Sequence, residues 1–218
     1  MYFQYGDTEI SYLKAKDSRL GQVIEELGHI YREVDPDIYS AVLHQIIGQQ
    51  ISSKALATVW QRLQDSVENV NASNILTLGE EGLHLLGISY RKAKYITDFS
   101  RQILQGEFDP SKVLALPDEK VIDELTRVKG IGVWTAEMIL LFCLQRPNVF
   151  SFDDLAIQRG LRMVYHHRKI DRKLFEKYRR RFSPYCSVAS LYLWAVAGGA
   201  IPEMKDYLPT KMREVSKR

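Results

Sequence analysis

Apolar residues recur at every third or fourth position along most of this chain, which places them on one face of a helix. In residues 38–50, for example, Ala41, Val42 and Ile46 follow this spacing. The pattern and the turn residues that interrupt it predict helices over residues 38–50, 52–63, 90–104, 118–128, 133–144, 155–164, 173–182 and 187–197. Strand-like segments are confined to residues 3–10 and 149–152. The sequence therefore predicts an all-α fold with short loops.

Composition is that of an ordinary globular protein and excludes several other classes. Hydrophobic residues make up 45% of the chain and charged residues 26%. The longest apolar run, residues 138–144, is too short to span a bilayer, and the first seven residues do not resemble a secretory signal. Two cysteines, Cys143 and Cys186, are too few for a thiolate metal cage. We therefore expect a cytoplasmic protein, nucleoid-associated if bacterial, with no membrane partner.

The net charge of +3 gives no argument for nucleic acid, but its distribution does. Residues 168–181 include eight basic side chains: Arg168, Lys169, Arg172, Lys173, Lys177, Arg179, Arg180 and Arg181. The end of the chain adds Lys211, Arg213, Lys217 and Arg218. Such segments suit phosphate groups. Because a run of charges is more often a solvated helix face, both interpretations stay open.

Two glycines separate the predicted helices 118–128 and 133–144. Gly130 and Gly132 allow a positive φ, and they leave no side chain between the backbone and a ligand. The N–H groups at the start of the second helix, at the positive end of its dipole, can then bind a phosphate without a basic side chain. The hairpin is therefore a candidate phosphate site.

The same hairpin offers oxygen ligands for a metal ion. The backbone carbonyls of Thr126, Val128 and Ile131 could hold a monovalent cation, Na⁺ or K⁺, that bridges to the same phosphate. Such an ion would be structural, and we expect no required cofactor. The alternative for the whole hairpin is an ordinary helix–helix turn, which Gly-x-Gly alone would favour.

Four motifs follow one another along the chain. They are Ile-Ile-Gly-Gln-Gln-Ile-Ser at 46–52, Leu-x-x-Val-x-Gly-Ile-Gly-x-Trp-Thr-Ala at 125–136, Val-Phe-Ser-Phe-Asp-Asp at 149–154 and Ser-Pro-Tyr-x-Ser-x-Ala at 183–189. Together they resemble the helix–hairpin–helix DNA glycosylase superfamily, and within it the bacterial 3-methyladenine DNA glycosylase II group. The resemblance runs from about residue 20 to residue 199. Some members carry a long N-terminal β-rich domain, for which this chain has no room, so we expect the compact helical core alone.

The resemblance implies a fold of two helical lobes. Residues 38–146 would form a lobe of six helices that ends in the helix–hairpin–helix motif. Residues 1–37 and 147–218 would form the second lobe, which carries the catalytic aspartate. The active site would lie in the cleft between the lobes, where such pockets usually form. The residues assigned to DNA binding are Gly130, Ile131, Gly132 and Thr135.

Asp153 and Asp154 open a predicted helix after an extended apolar stretch. Aspartate is a preferred helix cap, so capping alone would explain one of them. The resemblance assigns catalysis to Asp154 and leaves the structural role to Asp153. Cleavage of an N-glycosidic bond builds positive charge on the deoxyribose, which a carboxylate stabilises while it orients or deprotonates the attacking water. An alkylated purine is already cationic, so no histidine is needed as an acid.

Trp134 decides between two mechanisms. In relatives that also cut the DNA strand, the corresponding position holds a lysine that forms a Schiff base with the sugar. An indole cannot act as a nucleophile, and Lys129 lies on the far side of the hairpin. The resemblance therefore implies hydrolysis without strand cleavage.

A damaged base must leave the helix stack before a carboxylate can reach its sugar. The resemblance places Trp134 and Tyr185 in the pocket, where electron-rich rings would stack on a cationic purine. It places Gln50 as the wedge that fills the gap, although some relatives carry an apolar residue there. Core packing is the alternative for aromatic residues, and we prefer it for Trp60, Tyr192 and Trp194.

The implied function is release of alkylated purines of the 3-methyladenine type from double-stranded DNA, by a monomer that leaves an abasic site. One alternative is a glycosylase for an oxidised or mismatched base, which differs only in pocket detail. A second is a non-enzymatic helix–hairpin–helix DNA-binding module. Asp154 argues against that module, because binding alone gains nothing from a carboxylate near the DNA backbone.

Overall fold

The computed structural model describes residues 1–207, and this part of the chain forms twelve helices. They are α1 Asp7–Lys16, α2 Ser18–Leu27, α3 Ile38–Gly48, α4 Ser53–Ser66, α5 Ala72–Leu85, α6 Tyr90–Gln105, α7 Pro110–Leu114, α8 Asp118–Thr126, α9 Val133–Phe142, α10 Leu155–Tyr165, α11 Arg172–Phe182 and α12 Cys186–Ala197. Across the described residues, β structure consists of one antiparallel bridge between Tyr2 and Glu33. The predicted all-α class is therefore confirmed, and residues 3–10 and 149–152 form no strand.

The chain divides into two compact units. The continuous unit is Asp35–Leu144, and the discontinuous unit joins Met1–Val34 to the residues from Gln145 onward. The lobe boundaries expected from the sequence, at 38 and 146, lie within a few residues of these. The discontinuous unit is described as far as Tyr207, so the following basic residues lie outside the described part of the chain: Lys211, Arg213, Lys217 and Arg218.

The continuous unit contains seven helices, α3 to α9, where the resemblance implies six. The apolar spacing predicts five of them and misses α5 and α7. Helix α5 is kinked at Gly79, whose φ of +69° interrupts the helical spacing. The five-residue helix α7 is too short for apolar periodicity to reveal, and it begins at an Asp-Pro pair that is equally typical of a turn. Asp109 caps it by accepting hydrogen bonds from the N–H groups of Ser111 and Lys112. The core of this unit includes Leu43, Ile46, Leu63, Ile75, Leu83 and Phe99.

The discontinuous unit consists of α1, α2, α10, α11 and α12. Its centre is α12, on which even Ser187 and Ser190 are buried. Helix α10 crosses α12 so closely that a Cβ atom at Gly160 would overlap the carbonyl oxygen of Leu193. Because this packing fixes the position of α10, it also fixes the residue before that helix, Asp154. The core around these helices includes Leu13, Leu20, Phe175, Phe182 and Tyr192.

Neither cysteine is available as a nucleophile. Cys143 and Cys186 are buried free thiols, and burial raises the pKa of each to about 12. Both therefore stay protonated at neutral pH, and a thiol is a poor nucleophile. None of the helices within residues 1–207 is long and apolar enough to cross a membrane.

Candidate active site

The residues predicted for the site belong to both units. Asp154 and Tyr185 are in the discontinuous unit, whereas Gln50, Trp134 and the glycine hairpin are in the continuous unit. Each unit brings two of the four sequence motifs into direct contact.

Asp154 lies directly before α10 and is held by three hydrogen bonds. Its Oδ1 atom accepts from the backbone N–H groups of Ala156 at 2.9 Å and Ile157 at 2.8 Å. The indole Nε1 of Trp194 donates to the same oxygen at 3.1 Å. Asp154 is only 6% exposed, and the positive end of the helix dipole lies beside it. This environment suits an anionic carboxylate held in one orientation.

Asp154 itself caps α10, so the structural role given to Asp153 is wrong. Asp153 is exposed, and the N-cap residue of α10 is Asp154. The helix begins at Leu155, and the residue one position earlier reaches the N–H groups two and three positions further on. Capping and the predicted catalytic role therefore fall on the same carboxylate.

Trp194 is a site residue that the sequence analysis missed. The sequence assigns it to core packing, but in the structure it is half-buried and donates a hydrogen bond to Asp154. The two residues are forty positions apart, so no local pattern connects them. The one available signal was chemical, because the N–H group of a buried tryptophan usually finds a hydrogen-bond partner.

The two motifs of the discontinuous unit meet at Ser187. Its hydroxyl oxygen accepts from the N–H of Val149 at 3.0 Å, and its own N–H donates to the carbonyl of Pro147 at 3.0 Å. Tyr185 is half-buried immediately before α12, and its ring makes an edge contact with Tyr12 at 5.2 Å between centroids. The ring of Tyr185 is thus braced on one side and still partly accessible.

The glycine hairpin connects α8 to α9, and its two glycines have different roles. Gly130 has a φ of +91°, and a Cβ atom there would lie 2.7 Å from a ring carbon of Tyr95, so only glycine fits. Gly132 has a φ of −94°, so it does not use the positive φ that glycine allows. A Cβ atom at Gly132 would meet nothing within 4 Å. The space in front of α9 is therefore open.

The two motifs of the continuous unit meet at the same hairpin. The Nε2 of Gln49 donates to the carbonyl of Gly130 at 2.6 Å. Lys92 reinforces this contact by donating to the carbonyls of Ile47 at 2.9 Å and Gln49 at 2.6 Å. Burial, with a smaller effect from Arg91, lowers the pKa of Lys92. These bonds tie the end of α3 to the hairpin.

Gln50 lies in a turn rather than at the end of a helix. Helix α3 ends at Gly48, and Gln50 follows with a left-handed backbone, φ +58°, and an exposed side chain. The next residue, Ile51, is an apolar side chain that is 40% exposed. The wedge role of Gln50 stays a prediction, and Ile51 is a second candidate for it.

Trp134 is 41% exposed near the start of α9, which argues against core packing. Ile131 and Thr135 are buried, so any contact they make with DNA would involve their backbone groups. Lys129 is exposed and forms an ion pair with Asp98 at 3.5 Å. Its amine is thus engaged on the surface of the continuous unit.

The histidines are engaged in other contacts. His44 makes an edge contact with Trp60, and burial lowers its pKa. His167 shares a hydrogen bond of 2.7 Å with the hydroxyl of Tyr178, and His166 is exposed. In the described part of the chain, no three His, Cys, Asp or Glu side chains converge as a metal site.

Comparison with known proteins gives the same family as the motifs. The profile of HhH-GPD superfamily base excision DNA repair proteins matches residues 43–184. DNA-3-methyladenine glycosylase 1 of Schizosaccharomyces pombe is 32% identical over 162 residues, which cover 72% of this chain and 71% of that protein. DNA-3-methyladenine glycosylase 2 of Escherichia coli is 25% identical over 167 residues, which cover 72% of this chain and 56% of that protein.

The fold matches a solved structure over its whole length. The crystal structure of DNA-3-methyladenine glycosidase from Bacillus halodurans has a TM-score of 0.82 and 31% sequence identity, and the match covers 100% of both chains. This likeness confirms the predicted helix–hairpin–helix glycosylase fold. The chain belongs to the HhH-GPD superfamily of base excision DNA repair proteins.

Proposed function

We propose that this protein is a DNA glycosylase that flips an alkylated purine out of double-stranded DNA and hydrolyses its N-glycosidic bond, leaving an abasic site. The observation that carries the proposal is the buried carboxylate of Asp154, held by three N–H donors at a helix N-terminus. The names of the relatives, which specify 3-methyladenine, support the substrate class.

Asp154 would act on the sugar rather than on the base. As the bond between C1′ and the base nitrogen breaks, its electron pair leaves with the base and positive charge develops on the deoxyribose. The carboxylate stabilises that charge, and water adds to C1′ while it loses a proton to the carboxylate or to solvent. A 3-alkylated adenine is cationic before cleavage and departs neutral, so no protein acid is required.

Recognition of the base would fall to aromatic side chains. Trp134 is exposed on the continuous unit, and Tyr185 is partly accessible on the discontinuous unit. Electron-rich rings favour a cationic purine over its neutral counterpart through cation–π attraction. Gln50, or its apolar neighbour Ile51, would fill the gap left in the duplex.

The hairpin would bind a DNA phosphate through backbone N–H groups at the start of α9, where Gly132 leaves open space. The carbonyls of Thr126, Val128 and Ile131 are oxygen donors of the kind that Na⁺ or K⁺ prefers, and Val128 already accepts a turn hydrogen bond from Ile131 at 3.0 Å. An ion bound there would add positive charge beside the phosphate. The reaction itself would need no cofactor, and a monomer would suffice to act on DNA in the cytoplasm or nucleoid.

Asp154→Asn tests the mechanism most directly. Asparagine keeps the size of the side chain and caps helices well, so the fold should be preserved while the charge is lost. We expect base release from a duplex with a 3-methyladenine-type lesion to slow at least about 100-fold. Single-turnover assays, with alkali to reveal abasic sites, would measure this rate, and DNA binding should persist.

The matched control is Asp153→Asn, the same change at the exposed neighbour, which should leave the rate unaltered. Wild-type activity in Asp154→Asn would remove Asp154 from the mechanism. The wild-type enzyme should also be given duplexes with an oxidised or a mismatched base. Faster release from either would replace the alkylated purine with that substrate.

A further inference from the structure

Positive charge is concentrated in one short segment of the chain. Residues 168–181 contain eight basic and two acidic residues and so carry a net charge of +6. Because the whole chain carries +3, all other residues together carry −3. The segment forms α11 and the loop before it. The sequence leaves open whether it binds phosphate or is an ordinary solvated face, and the ion pairs show which of its cations are available to an external anion.

Most of these charges have no carboxylate partner. Arg181 pairs with the buried Asp17, and Arg179 lies 3.8 Å from Glu176. Within residues 1–207, the other six cations are not within ion-pair distance of any carboxylate: Arg168, Lys169, Arg172, Lys173, Lys177 and Arg180. The continuous unit differs, since four of its surface cations each pair with a carboxylate one turn away: Lys94, Lys112, Lys120 and Arg127.

The unpaired cations of α11 form a stripe that faces solvent. Lys173, Lys177 and Arg180 are exposed and stand at four- and three-residue spacing, which places them on one face of the helix. The opposite face is buried and carries Phe175, Tyr178 and Phe182. The stripe is therefore held by a packed helix and points away from the core.

The stripe begins next to the loop that carries Asp154. Arg172, the first residue of α11, lies with its guanidinium 4.2 Å from the ring centroid of Phe152. Phe152 is two residues before Asp154, and Gln158 of α10 donates a hydrogen bond to its carbonyl. The positive charge and the candidate catalytic carboxylate are thus on neighbouring segments of the same unit.

A further cation from α2 joins this group. The pKa of His167 is lowered, first by burial and then by the positive charges of Arg19, Lys177 and His166. Arg19 and Lys177 therefore act on the same histidine from two helices. We call the seven unpaired cations the basic surface: Arg19, Arg168, Lys169, Arg172, Lys173, Lys177 and Arg180.

We propose that the basic surface binds the phosphate backbone of duplex DNA, as a second contact in addition to the hairpin. The proposal deepens the proposed function, because it places a DNA contact on the unit that carries Asp154. A polyanion fits this surface, since each phosphate neutralised by a lysine or arginine releases condensed counterions. Lysine and arginine contacts to phosphate carry no sequence information, so the surface would position the protein without selecting the base.

The test is the triple variant Lys173→Gln, Lys177→Gln, Arg180→Gln, with affinity for an undamaged duplex measured as a function of salt. Loss of three phosphate contacts should reduce the slope of log K against log salt by up to about three units. We expect affinity at roughly 0.1 M salt to fall at least about tenfold. The control is Lys112→Gln, Lys120→Gln, Lys205→Gln, which removes the same charge elsewhere and should leave the slope unaltered.

An unchanged slope in the first variant would overturn the proposal, and it is the result expected if the surface binds an acidic protein instead. Undamaged duplex requires no base release, so the outcome does not depend on glycosylase activity. If the wild-type protein releases no base but the slope falls, the proposed function fails and the basic surface stands. If base is released and the slope is unchanged, only the basic surface fails.

The pKa of His167 provides a second test, which can be measured on the wild-type protein with and without DNA. Phosphates bound at Arg19 and Lys177 would offset the charges that act on His167, so its pKa should rise when a short duplex is added. NMR titration would follow the ring signals, with the half-buried ring of His44 in the continuous unit as the reference. A pKa of His167 that is the same with and without DNA would count against the proposal.

Discussion

Two helix N-termini in this protein have opposite chemistry. At the start of α10 the buried carboxylate of Asp154 accepts hydrogen bonds from N–H groups of the first turn. At the start of α9 the cap residue is Gly132, which has no side chain and faces open space. Both termini present N–H donors and the positive end of a dipole. One supplies its own anion, and the other leaves room for an external one.

The difference shows how one structural element can serve two tasks. An internal carboxylate at a helix N-terminus is fixed in place and can face a developing positive charge, as catalysis requires. An open N-terminus can accept a phosphate, as DNA binding requires. The single residue before each helix, aspartate or glycine, decides between them.

Gly132→Asp would make the terminus of α9 resemble that of α10, and we expect this change to have the largest effect on DNA affinity. The new carboxylate would cap the helix and stand where a DNA phosphate is proposed to bind. Affinity for damaged and undamaged duplex alike should fall about 10- to 100-fold at roughly 0.1 M salt, and the salt slope should fall by about one unit. Fluorescence anisotropy over a range of salt concentrations would measure both.

Gly132→Ala is the matched control, since a Cβ atom at this position meets nothing within 4 Å. It should cost little affinity, because it adds neither charge nor bulk in contact with the protein. Thermal unfolding of Gly132→Asp should show an intact fold, because aspartate is a better cap than glycine. Full DNA affinity in a folded Gly132→Asp variant would mean that the terminus of α9 does not face DNA.

Much of the fold follows from local pattern. The apolar spacing predicts α3, α4, α6 and α8 to α12 to within a few residues, because the buried face of each helix is encoded in its own sequence. The hairpin and its unusual Gly130 also follow from local sequence. The spacing does not predict α1, α2, α5 or α7. Gly79 interrupts the regular spacing in α5, and the five residues of α7 carry too little periodicity.

The contacts of the candidate site depend on helix boundaries and on packing between distant residues. The sequence predicts them less well than it predicts the helices. Whether Asp153 or Asp154 caps α10 depends on a helix boundary, which a pattern locates only to within a few residues. The partner of Asp154 depends on the packing of α10 against α12, which no motif encodes. The predicted end of α3 at Gln50 is wrong, because the helix ends at Gly48 and the chain then turns. Gln50 has a left-handed backbone conformation, which glutamine rarely adopts.

Trp194→Phe tests whether the carboxylate at the start of α10 depends on a side-chain donor from another helix. Phenylalanine preserves aromatic packing but removes the Nε1–H that donates to Asp154. We expect the single-turnover rate of base release to fall about tenfold, the lower end of what a hydrogen bond to a charged group is worth. Affinity for the duplex should not change, because Trp194 acts through Asp154 as a positioning residue.

The matched control is Trp60→Phe, the same substitution at the tryptophan that contacts His44 in the continuous unit. It should leave the rate of base release unaltered. If Trp194→Phe also retains the full rate, the original assignment to core packing is right. If both the rate and the affinity fall, Trp194 supports the fold rather than the carboxylate.

The last prediction concerns a covalent protein–DNA adduct, which we expect not to form at the terminus of α9. A glycosylase that cuts the strand needs an amine behind the sugar, and at the position where relatives place it this chain has Trp134. Lys129, on the other side of the hairpin, is engaged with Asp98. Borohydride added during the reaction should therefore trap no covalent protein–DNA adduct, and the product strand should stay intact until alkali is added. A trapped adduct would show that an amine attacks the sugar, and Lys129→Gln would then show whether that amine is responsible.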